Sequence, residues 1–300
     1  MSEPFSGLVM LITGASGFAG RHLAALAGDF VPGGVNLLDA DATRAVVRDA
    51  QPERVFHLAA RASVSDSWKH PLRTMQDNLA MTFNLLEAIA QEAPDARVLV
   101  TGSGEQYGPP ASLPVDEDAP FRPQNPYAVS KCAVDSAASF FADARGLHVV
   151  RTRSFNHAGP GQSEAYVVSA FARQIAEAEA GGVASLTVRT GNLEPRRDFT
   201  DVRDVVRAYW GLLDAPVEPG AYNVCSGQAV AITDILARLS ALTELTIEQQ
   251  TDPSLLRTKD VMEIRGSHEK LTRATGWKPV IALDDTLADA LAWWRAELAR

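Results

Sequence analysis

Cysteine is scarce in this chain of 300 residues, which contains only Cys132 and Cys225. Two cysteines so far apart exclude a disulfide framework or a cysteine zinc site, so we interpret both as small buried residues and expect no metal. Long apolar runs are also missing, because none approaches the roughly 20 residues of a membrane span. The N-terminus lacks the charged and apolar regions of a signal peptide, so we expect a soluble, cytoplasmic protein.

Positive charge is in short supply as well. The 28 Lys and Arg residues face 37 Asp and Glu residues, which gives a formal net charge of −9. No basic run or basic-aromatic stripe is present, and this argues against a nucleic-acid partner. A few arginines in a cleft can still bind an anionic ligand. With 46% hydrophobic residues, the chain can bury a large core, either as one α/β domain or as a domain with a smaller lobe.

Short β-branched runs alternate with helical patterns in the first half, as is typical of βαβ units and a parallel sheet. The predicted strands there are 9–13, 35–38, 55–58, 97–101 and 148–152, and the predicted helices are 21–27, 43–50, 72–92 and 127–144. Beyond residue 161 the predicted elements are helices 167–180, 233–242 and 284–298 and strands 185–188 and 221–224. We therefore predict an α/β fold with a Rossmann-type doubly wound parallel sheet, mainly in residues 1–160. Residues 161–300 are expected to form mainly a smaller α/β lobe, with a segment at about 190–225 that returns to the large domain.

A glycine-rich turn containing Gly14, Gly17 and Gly20 follows the first predicted strand. Backbone at such a turn can approach a pyrophosphate, which then binds at the positive N-terminus of the next helix. A tight strand–helix corner would explain three glycines equally well, but their place after an N-terminal strand favours a dinucleotide site. The acidic residue that binds the adenosine ribose is expected about 20 residues later, where residues 30–34 contain no carboxylate. Asp39 follows and could face the adenine, so the choice between NADH and NADPH stays open.

Tyr127 and Lys131 are four residues apart, which places both side chains on one face of a helix. An ammonium beside a phenol favours the phenolate, so we predict a Tyr127 pKa below its reference value of about 10. Such a tyrosine can donate or accept a proton near neutral pH. The spacing alone also describes a surface lysine one turn from a packed tyrosine. The glycine turn upstream favours the catalytic interpretation.

The glycine turn, Ser103 and the Tyr127–Lys131 pair together resemble the extended short-chain dehydrogenase/reductase family, which acts largely on nucleotide sugars. The resemblance runs nearly end to end, and segments 155–162, 191–194, 197–199 and 276–279 look like the GDP-mannose branch of that family. It implies an NAD(P)H cofactor and a GDP-sugar substrate bound by the smaller lobe. It also implies a homodimer in which the helices at 72–92 and 127–144 form a four-helix bundle.

The resemblance further implies roles for individual residues. Ser103, Tyr127 and Lys131 match the family's catalytic set, which would reduce the C4 ketone of GDP-4-keto-6-deoxy-D-mannose to give GDP-D-rhamnose. The cofactor-binding positions are Gly14, Ser16, Gly17, Phe18, Ala19, Asp39, Leu58, Ala59, Ala60, Asn78 and Lys131. The substrate-binding positions are Ser103, Asn156, Arg173, Arg197, Arg257 and Asp260, the last of which stands where the family usually has Glu. Ser63 and Val64 join them because they follow a strand end, where a parallel sheet places its ligand.

Glu105 leaves a second function open. In the family's sugar-nucleotide dehydratases, a carboxylate at this position removes a proton beside the ketone and a threonine replaces Ser103. This chain has the carboxylate without the threonine, so a GDP-mannose 4,6-dehydratase or another nucleotide-sugar dehydratase or epimerase is the alternative to a reductase. A non-catalytic NAD(P)-sensing module is a third hypothesis, which the presence of both Tyr127 and Lys131 disfavours.

Other polar residues are interpreted without a catalytic role. His57 lies beside a motif strand without a carboxylate at a pairing distance in sequence, so packing or hydrogen bonding is expected of it. Arg203, Asp204 and Arg207 are interpreted as a solvated helix face.

Overall fold

The computed structural model describes residues 7–255 and 261–300. Strands and helices alternate along these residues. The strands are β1 (Met10–Thr13), β2 (Val31–Pro32), β3 (Arg54–His57), β4 (Arg97–Thr101), β5 (His148–Ser154), β6 (Asn156–Ala158), β7 (Ser185–Thr190), β8 (Arg196–Asp201), β9 (Gly220–Val224), β10 (Ala229–Ala231), β11 (Thr246–Thr251) and β12 (Glu263–Ile264). The helices are α1 (Phe18–Ala27), α2 (Ala40–Ala50), α3 (Val64–Lys69), α4 (Pro71–Glu92), α5 (Pro126–Arg145), α6 (Val167–Ala180), α7 (Val202–Asp214), α8 (Ile232–Ser240), α9 (Glu269–Thr275) and α10 (Leu283–Leu298).

Six strands form the large sheet in the order β2-β1-β3-β4-β5-β9, and every neighbouring pair is parallel. Successive residues of a strand point to opposite faces, so Leu99 lies in the core under α1 and α7 while Val98 and Val100 lie in the core under α2, α4 and α5. Helices therefore cover both faces of the sheet. The predicted Rossmann-type doubly wound fold is confirmed.

The smaller lobe has a core of its own, formed by apolar residues of α6, α8 and α10 with β6 and β8. Strands β10, β8 and β12 form one small sheet, β6 pairs with β8, and β7 pairs with β11. Helix α7 and strand β9 lie outside this lobe, since α7 packs on α1 and β9 pairs with β5. The C-terminal helix α10 packs along α6.

The predicted strand at 35–38 is wrong. The strand beside β1 is instead β2, which has only two residues and pairs Leu11 with Val31 and Ile12 with Pro32. Leu37 is buried in the turn that follows, which explains why an apolar run occurs there without a strand. Asp39 then caps α2 by accepting a hydrogen bond from the Ala42 N–H at 3.0 Å.

The predicted solvated face at residues 203–207 is wrong for Asp204, which is fully buried on α7. Its Oδ2 accepts hydrogen bonds from the N–H groups of Val280 and Ile281 at 2.8 and 2.9 Å. Arg207 reaches its other oxygen at 3.2 Å. The carboxylate therefore fastens the segment that precedes α10 to the large domain.

Candidate active site

The glycine turn is where backbone segments approach one another most closely. Gly14 has a φ of +72°, and a Cβ at this position would lie 2.7 Å from the Ala59 nitrogen. A Cβ at Gly20 would lie 2.0 Å from the Gly14 oxygen. Only glycine fits both positions, so the strand end of β1, the start of α1 and the segment Leu58–Ala59 form one cradle of backbone.

Helix α1 begins at Phe18 with Gly17 as its N-cap, and no side chain caps its N-terminus. Its first turn contains no acidic residue, so the exposed N–H groups are suited to an anion. Ser16 and Gly17 are exposed at this point. The Phe18 ring stacks on the His157 ring with centroids 5.8 Å apart, which joins the turn to β6.

A buried chain of hydrogen bonds lies beneath the cradle. The Thr82 hydroxyl donates to the Asn78 carbonyl, so it accepts from His57 Nε2 at 3.1 Å, and His57 Nδ1 accepts from the Thr13 hydroxyl at 2.8 Å. Burial, with a smaller contribution from Lys131, lowers the pKa of His57 to about 3. The imidazole is therefore neutral and structural, as predicted.

Asn78 is buried on α4 and its amide is used within the protein. Its Oδ1 accepts from the Arg61 N–H at 2.7 Å, and its Nδ2 donates to the Ser130 hydroxyl at 2.9 Å and to the Arg61 carbonyl at 3.2 Å. The side chain thus holds the loop after β3 against α5. Its role at the cofactor stays a prediction, and so does that of Asp39, whose carboxylate caps α2.

Ser103 begins the 3₁₀ turn Gly104–Tyr107 after β4. Its hydroxyl accepts from the Glu105 N–H at 3.2 Å, and its own N–H donates to Gln106 Oε1 at 2.7 Å. The Glu105 carboxylate accepts from Asn125 Nδ2 at 3.0 Å. Asn125 also caps α5, since its Oδ1 accepts from the Ala128 N–H at 2.7 Å. One amide therefore ties Glu105 to the helix that carries Tyr127 and Lys131.

Lys131 is buried on α5, with 4% of the residue exposed. Its ammonium donates to the carbonyl of Thr101, the last residue of β4, at 2.7 Å. Burial lowers its pKa to about 8, so the group is still largely cationic at neutral pH. The structure thereby places a positive charge at the end of β4, two residues before Ser103.

The predicted direction of the Tyr127 pKa is wrong for the structure. Burial raises this pKa, the charges of Tyr166 and Glu105 raise it further, and interaction with the Ser103 hydroxyl only partly opposes them. Lys131, whose ammonium is bonded to the Thr101 carbonyl, is not among the groups that shift this pKa. The phenol therefore keeps its proton near neutral pH. Ser103 thus interacts directly with the Tyr127 hydroxyl, whereas Tyr166 and Glu105 act on it through their charge.

The loop after β3 and the residue before α6 meet near Tyr127, at the boundary between the two lobes that we call the crevice. Ser63 caps α3 by accepting from the Asp66 N–H at 3.1 Å, and Val64 is the first residue of that helix. Tyr166, which immediately precedes α6, reaches the Ala62 carbonyl at 3.5 Å. The smaller lobe therefore contacts the loop that carries two predicted substrate residues.

The predicted substrate arginines of the smaller lobe are already engaged. Arg197 is buried on β8 and donates to the Val261 carbonyl at 2.7 Å. Arg173, on α6, pairs with Glu177 at 2.7 Å and Glu164 at 3.0 Å, and its guanidinium lies 5.5 Å from the Trp294 ring centroid. Asn156, on the neighbouring strand β6, makes no side-chain hydrogen bond with the part of the chain that the structure describes.

Two predicted substrate residues cannot be placed, and the described residues contain neither a metal site nor a membrane span. Arg257 and Asp260 lie outside the described residues. Within residues 7–255 and 261–300, His, Cys, Asp and Glu side chains form no group of three that could hold a metal ion. No helix in those ranges has the length and apolar character needed to cross a membrane.

Sequence reasoning missed three residues that complete the site. Asn125 could have been identified as a helix N-cap from the sequence, because an asparagine directly before a proline is typical of a helix start. Thr101 contributes through its carbonyl, and a carbonyl carries no sequence signal. Tyr166 approaches from the smaller lobe, so only the folded arrangement brings it near Tyr127.

Comparisons with known proteins agree with this geometry. The family model for GDP-mannose 4,6 dehydratase matches residues 28–290. The GDP-6-deoxy-D-mannose reductase of Pseudomonas aeruginosa is 36% identical, over 96% of this chain and 98% of its own length. The GDP-mannose 4,6 dehydratase 2 of Arabidopsis thaliana is 28% identical, over 83% of this chain and 67% of its own length. Among solved structures, RMD from Pseudomonas aeruginosa complexed with NADPH superposes with a TM-score of 0.90 at 36% identity, over 97% of this chain and 99% of that one.

Proposed function

The chain belongs to the GDP-mannose 4,6-dehydratase family of extended short-chain dehydrogenases/reductases, and from that membership we propose that it is a nucleotide-sugar 4-ketoreductase. The proposed reaction is the NAD(P)H-dependent reduction of GDP-4-keto-6-deoxy-D-mannose at C4 to give GDP-D-rhamnose. The observation that carries the proposal is the grouping of Ser103, a protonated Tyr127 and a buried cationic Lys131 beside the glycine cradle.

The residues of the cradle fit a dinucleotide. Gly14 and Gly20 leave no room for a Cβ, so the backbone itself forms the surface. The uncapped start of α1 presents N–H groups to a pyrophosphate. Gly14, Ser16, Gly17, Phe18 and Ala19 would hold that group. Leu58, Ala59 and Ala60 would line the adjoining crevice beside Lys131. When bound, the reduced nicotinamide supplies a hydride.

The chain's own residues handle the ketone oxygen and the proton. The Ser103 hydroxyl accepts the Glu105 N–H, so its hydrogen is available to donate to the C4 oxygen. Tyr127 transfers its phenolic proton to the same oxygen as negative charge develops there. Lys131 would hold the nicotinamide ribose, since its ammonium is fixed at the end of β4. The smaller lobe orients the sugar by binding its nucleotide through Asn156, Arg173 and Arg197.

The raised pKa of Tyr127 supports proton donation rather than proton abstraction. A phenol that is protonated at neutral pH can deliver its proton in the first turnover. This is the protonation state that a ketone reduction requires at its start.

Glu105 is the observation that favours the second candidate function. Its carboxylate lies near the Tyr127 phenol and is held by Asn125, where it could act as the base of a dehydratase. In the reductase, the same carboxylate orders substrate hydroxyl groups. The two functions differ in stoichiometry, because a dehydratase returns its hydride and a reductase consumes one NAD(P)H per product.

That stoichiometry is the test. The purified protein is incubated with GDP-4-keto-6-deoxy-D-mannose and each reduced nicotinamide, and with GDP-mannose in separate reactions. We expect one NAD(P)H oxidised per GDP-D-rhamnose, with the C4 configuration established by NMR. Conversion of GDP-mannose without net oxidation would establish the dehydratase instead. Tight NAD(P) binding without turnover of any ketosugar would leave only a cofactor-sensing module.

A Glu105→Gln variant sharpens the same test. It should abolish a dehydratase, because the neutral amide cannot remove a proton, but lower a reductase by no more than about tenfold. Glu244→Gln, an exposed residue of the smaller lobe, is the control and should leave both activities unchanged.

The homodimer is part of the proposal. Apolar side chains are exposed along α3, α4 and α5, at Trp68, Leu72, Met75, Phe83 and Phe140. Helices α4 and α5 pack along each other, with the Phe83 and Phe140 rings 6.5 Å apart. A second copy of the same helix pair would cover this surface in a four-helix bundle.

Solution mass tests the dimer. We expect twice the chain mass by light scattering, and a shift toward one chain mass for Phe140→Glu. Val280→Glu is the control, because Val280 is exposed and apolar but lies on the α7 side of the sheet. A wild-type monomer at working concentration would refute the dimer.

The location that we propose for the protein is the cytoplasm. Within the described residues, Cys132 and Cys225 are unpaired, which fits that reducing compartment.

A further inference from the structure

We infer that Arg153 is a positioning residue of the proposed reaction, because it holds the turn that carries Ser103 against the helix that carries Tyr127. The inference rests on the proposed function, in which the Ser103 hydroxyl and the Tyr127 phenol act on the same ketone oxygen. Arg153 lies on β5 with 6% of the residue exposed, so it would act through those two groups and not on the ligands themselves.

Ser103 and Tyr127 belong to two separate elements. Ser103 precedes the 3₁₀ turn, which ends at Tyr107, while Tyr127 lies in the first turn of α5. Their hydroxyl groups interact, and both proton transfer and charge stabilisation need donors within about 3 Å of the reacting oxygen. A displacement of about 1 Å can lower a rate by two orders of magnitude. Turnover should therefore depend on how firmly the turn is held against the helix.

Arg153 links these two elements through one guanidinium group. Its Nε donates to Asp135 Oδ2 at 3.1 Å, and its Nη2 donates to Asp135 Oδ1 at 3.4 Å. Asp135 lies on α5, one helical turn beyond Lys131. Its Nη1 donates to the Tyr107 hydroxyl at 3.0 Å. Because a guanidinium is planar and its donors point in fixed directions, these bonds set the separation between the turn and the helix.

Further contacts hold the guanidinium in place. Nη1 of Arg153 also donates to the Glu117 carbonyl at 2.8 Å, and the Phe121 ring centroid lies 4.5 Å from the guanidinium carbon. The Tyr107 hydroxyl donates in turn to Asn223 Oδ1 at 2.7 Å. All of these polar groups are buried or partly buried. Since a buried polar group is costly to leave unpaired, we expect the arrangement to persist when ligands bind.

Arg151 provides an internal comparison. Its Nη1 donates to Asp135 Oδ1 at 3.0 Å, so two arginines of β5 share one carboxylate. Among the residues that the structure describes, Arg151 makes no hydrogen bond with the 3₁₀ turn. The two arginines thus have Asp135 in common and differ in the contact with Tyr107.

The test compares Arg153→Lys with the matched control Arg151→Lys. Lysine retains the charge beside Asp135 but not the planar fork, so only the first variant loses the link to Tyr107. For Arg153→Lys, we expect kcat for the ketosugar to fall at least about tenfold, with KM and the Kd of the reduced nucleotide within about twofold of the wild type. For Arg151→Lys, kcat should stay within about twofold. Steady-state kinetics and titration calorimetry measure these constants, and thermal unfolding verifies that each variant is folded.

A double-mutant cycle separates positioning from a general loss of structure. Tyr107→Phe removes the hydroxyl that Arg153 binds but keeps the ring, and it should lower kcat about fivefold in the wild type. In a Ser103→Ala background it should lower kcat by less than about twofold, because the group that the turn positions is already absent. A purely structural effect would lower kcat by the same factor in both backgrounds.

The outcomes distinguish the inference from the function on which it rests. Equal kcat in Arg153→Lys and Arg151→Lys, a raised KM at unchanged kcat, or equal effects of Tyr107→Phe in both backgrounds would overturn the role of Arg153 and leave the reductase intact. If Arg153→Lys does not fold, the cycle with Tyr107→Phe decides alone. If the wild type reduces no ketosugar, the proposed function fails and the inference fails with it.

Discussion

The two walls of the crevice are built in different ways. The wall formed by the large domain consists of backbone contacts and buried hydrogen bonds, such as Gly14 against Ala59 and Lys131 bonded to Thr101. The wall formed by the smaller lobe presents Arg173, whose partners Glu164 and Glu177 are exposed carboxylates. One wall is fixed by the interior of the protein, and the other is held by pairs at its surface.

This difference indicates what each wall does. Buried polar groups are costly to leave unpaired, so we expect the proposed catalytic groups to keep one arrangement whether or not a ligand is bound. Exposed ion pairs contribute only about 0 to 1 kcal/mol, so a diphosphate can replace the carboxylates around Arg173 at little cost. Substitutions in the first wall should therefore alter turnover or stability, and substitutions in the second should alter substrate affinity.

The largest effect is expected for Tyr127→Phe. Removing the phenol deletes the proton donor, so kcat should fall roughly 10²- to 10⁴-fold while cofactor affinity stays within about twofold. Stopped-flow or steady-state absorbance at the nicotinamide band measures kcat, and calorimetry measures cofactor binding. Tyr222→Phe is the control, because Tyr222 is buried at β9 and bonded to the Glu218 carbonyl. Near-normal turnover in Tyr127→Phe would remove this residue from catalysis.

The next effect concerns stability and pH at Lys131. An unfolded lysine titrates near 10.5, whereas burial lowers the pKa of Lys131 to about 8 in the folded protein. Between these values the unfolded chain binds more protons, so the free energy of unfolding rises with pH across this window and the burial cost applies in full below pH 8. Lys131→Met removes this dependence. The stability of the wild type relative to the variant should therefore rise by about 3 kcal/mol from pH 7.5 to 10.5.

Urea denaturation of both proteins at several pH values measures that difference. The exposed Lys278→Met serves as the control, and its difference from the wild type should stay constant. A constant difference for Lys131→Met as well would show that the ammonium is hydrated in solution, which would contradict a pre-formed catalytic wall.

How much of this could be predicted from the sequence differs between the same two walls. Helix α6 occupies the predicted residues 167–180, and the proposed catalytic residues fall on the predicted strand ends and helix, because apolar periodicity and turn residues are local signals. The strand at 35–38 was mispredicted because β2 is defined by two pairing contacts with β1, not by its side chains.

The electrostatics could not be predicted, for a physical reason. Four-residue spacing indicates that Tyr127 and Lys131 share a helix face, but the pKa of each depends on burial by residues distant in sequence. The Thr101 carbonyl that binds Lys131 and the Asp204 carboxylate that binds Val280 and Ile281 are both long-range contacts. Helical periodicity does not reveal which charged side chains become buried.

A smaller effect is expected for Asp198→Asn, which tests whether the second wall also has a buried frame. Asp198 is fully buried on β8. One of its oxygens accepts from the Ser226 N–H and hydroxyl at 2.7 and 2.6 Å, and the other accepts from the N–H groups of Gly227 and Gly266 at 3.0 and 3.2 Å. An amide in its place presents N–H to donors, so the variant should lose about 2 kcal/mol of unfolding free energy.

Chemical denaturation at neutral pH measures this loss, with the exposed Asp214→Asn as the matched control. If Asp198→Asn is as stable as the control, the smaller lobe has no rigid frame at this point. The two walls would then differ in their buried hydrogen bonds as well as in their surface contacts.

The smallest effect is expected for Arg173→Gln, and it separates the two walls most directly. The variant loses two exposed ion pairs, so the free energy of unfolding should change by less than about 1 kcal/mol. If the guanidinium exchanges its carboxylates for the substrate diphosphate, KM for the GDP-ketosugar should rise about tenfold with kcat unchanged. This result is expected when the lost contact stabilises the bound substrate and the transition state equally. Arg238→Gln is the control, because Arg238 likewise pairs with an exposed carboxylate, Asp284, at 2.8 Å.

Steady-state kinetics on both arginine variants distinguish three arrangements. A raised KM for Arg173→Gln alone places the diphosphate on α6. An unchanged KM would mean that Glu164 and Glu177 retain the guanidinium and that the diphosphate binds elsewhere. A lower kcat at unchanged KM would mean that Arg173 acts only in the transition state. A surface residue would then control the chemical step. The proposed separation between a fixed catalytic wall and an exchangeable binding wall would therefore be wrong.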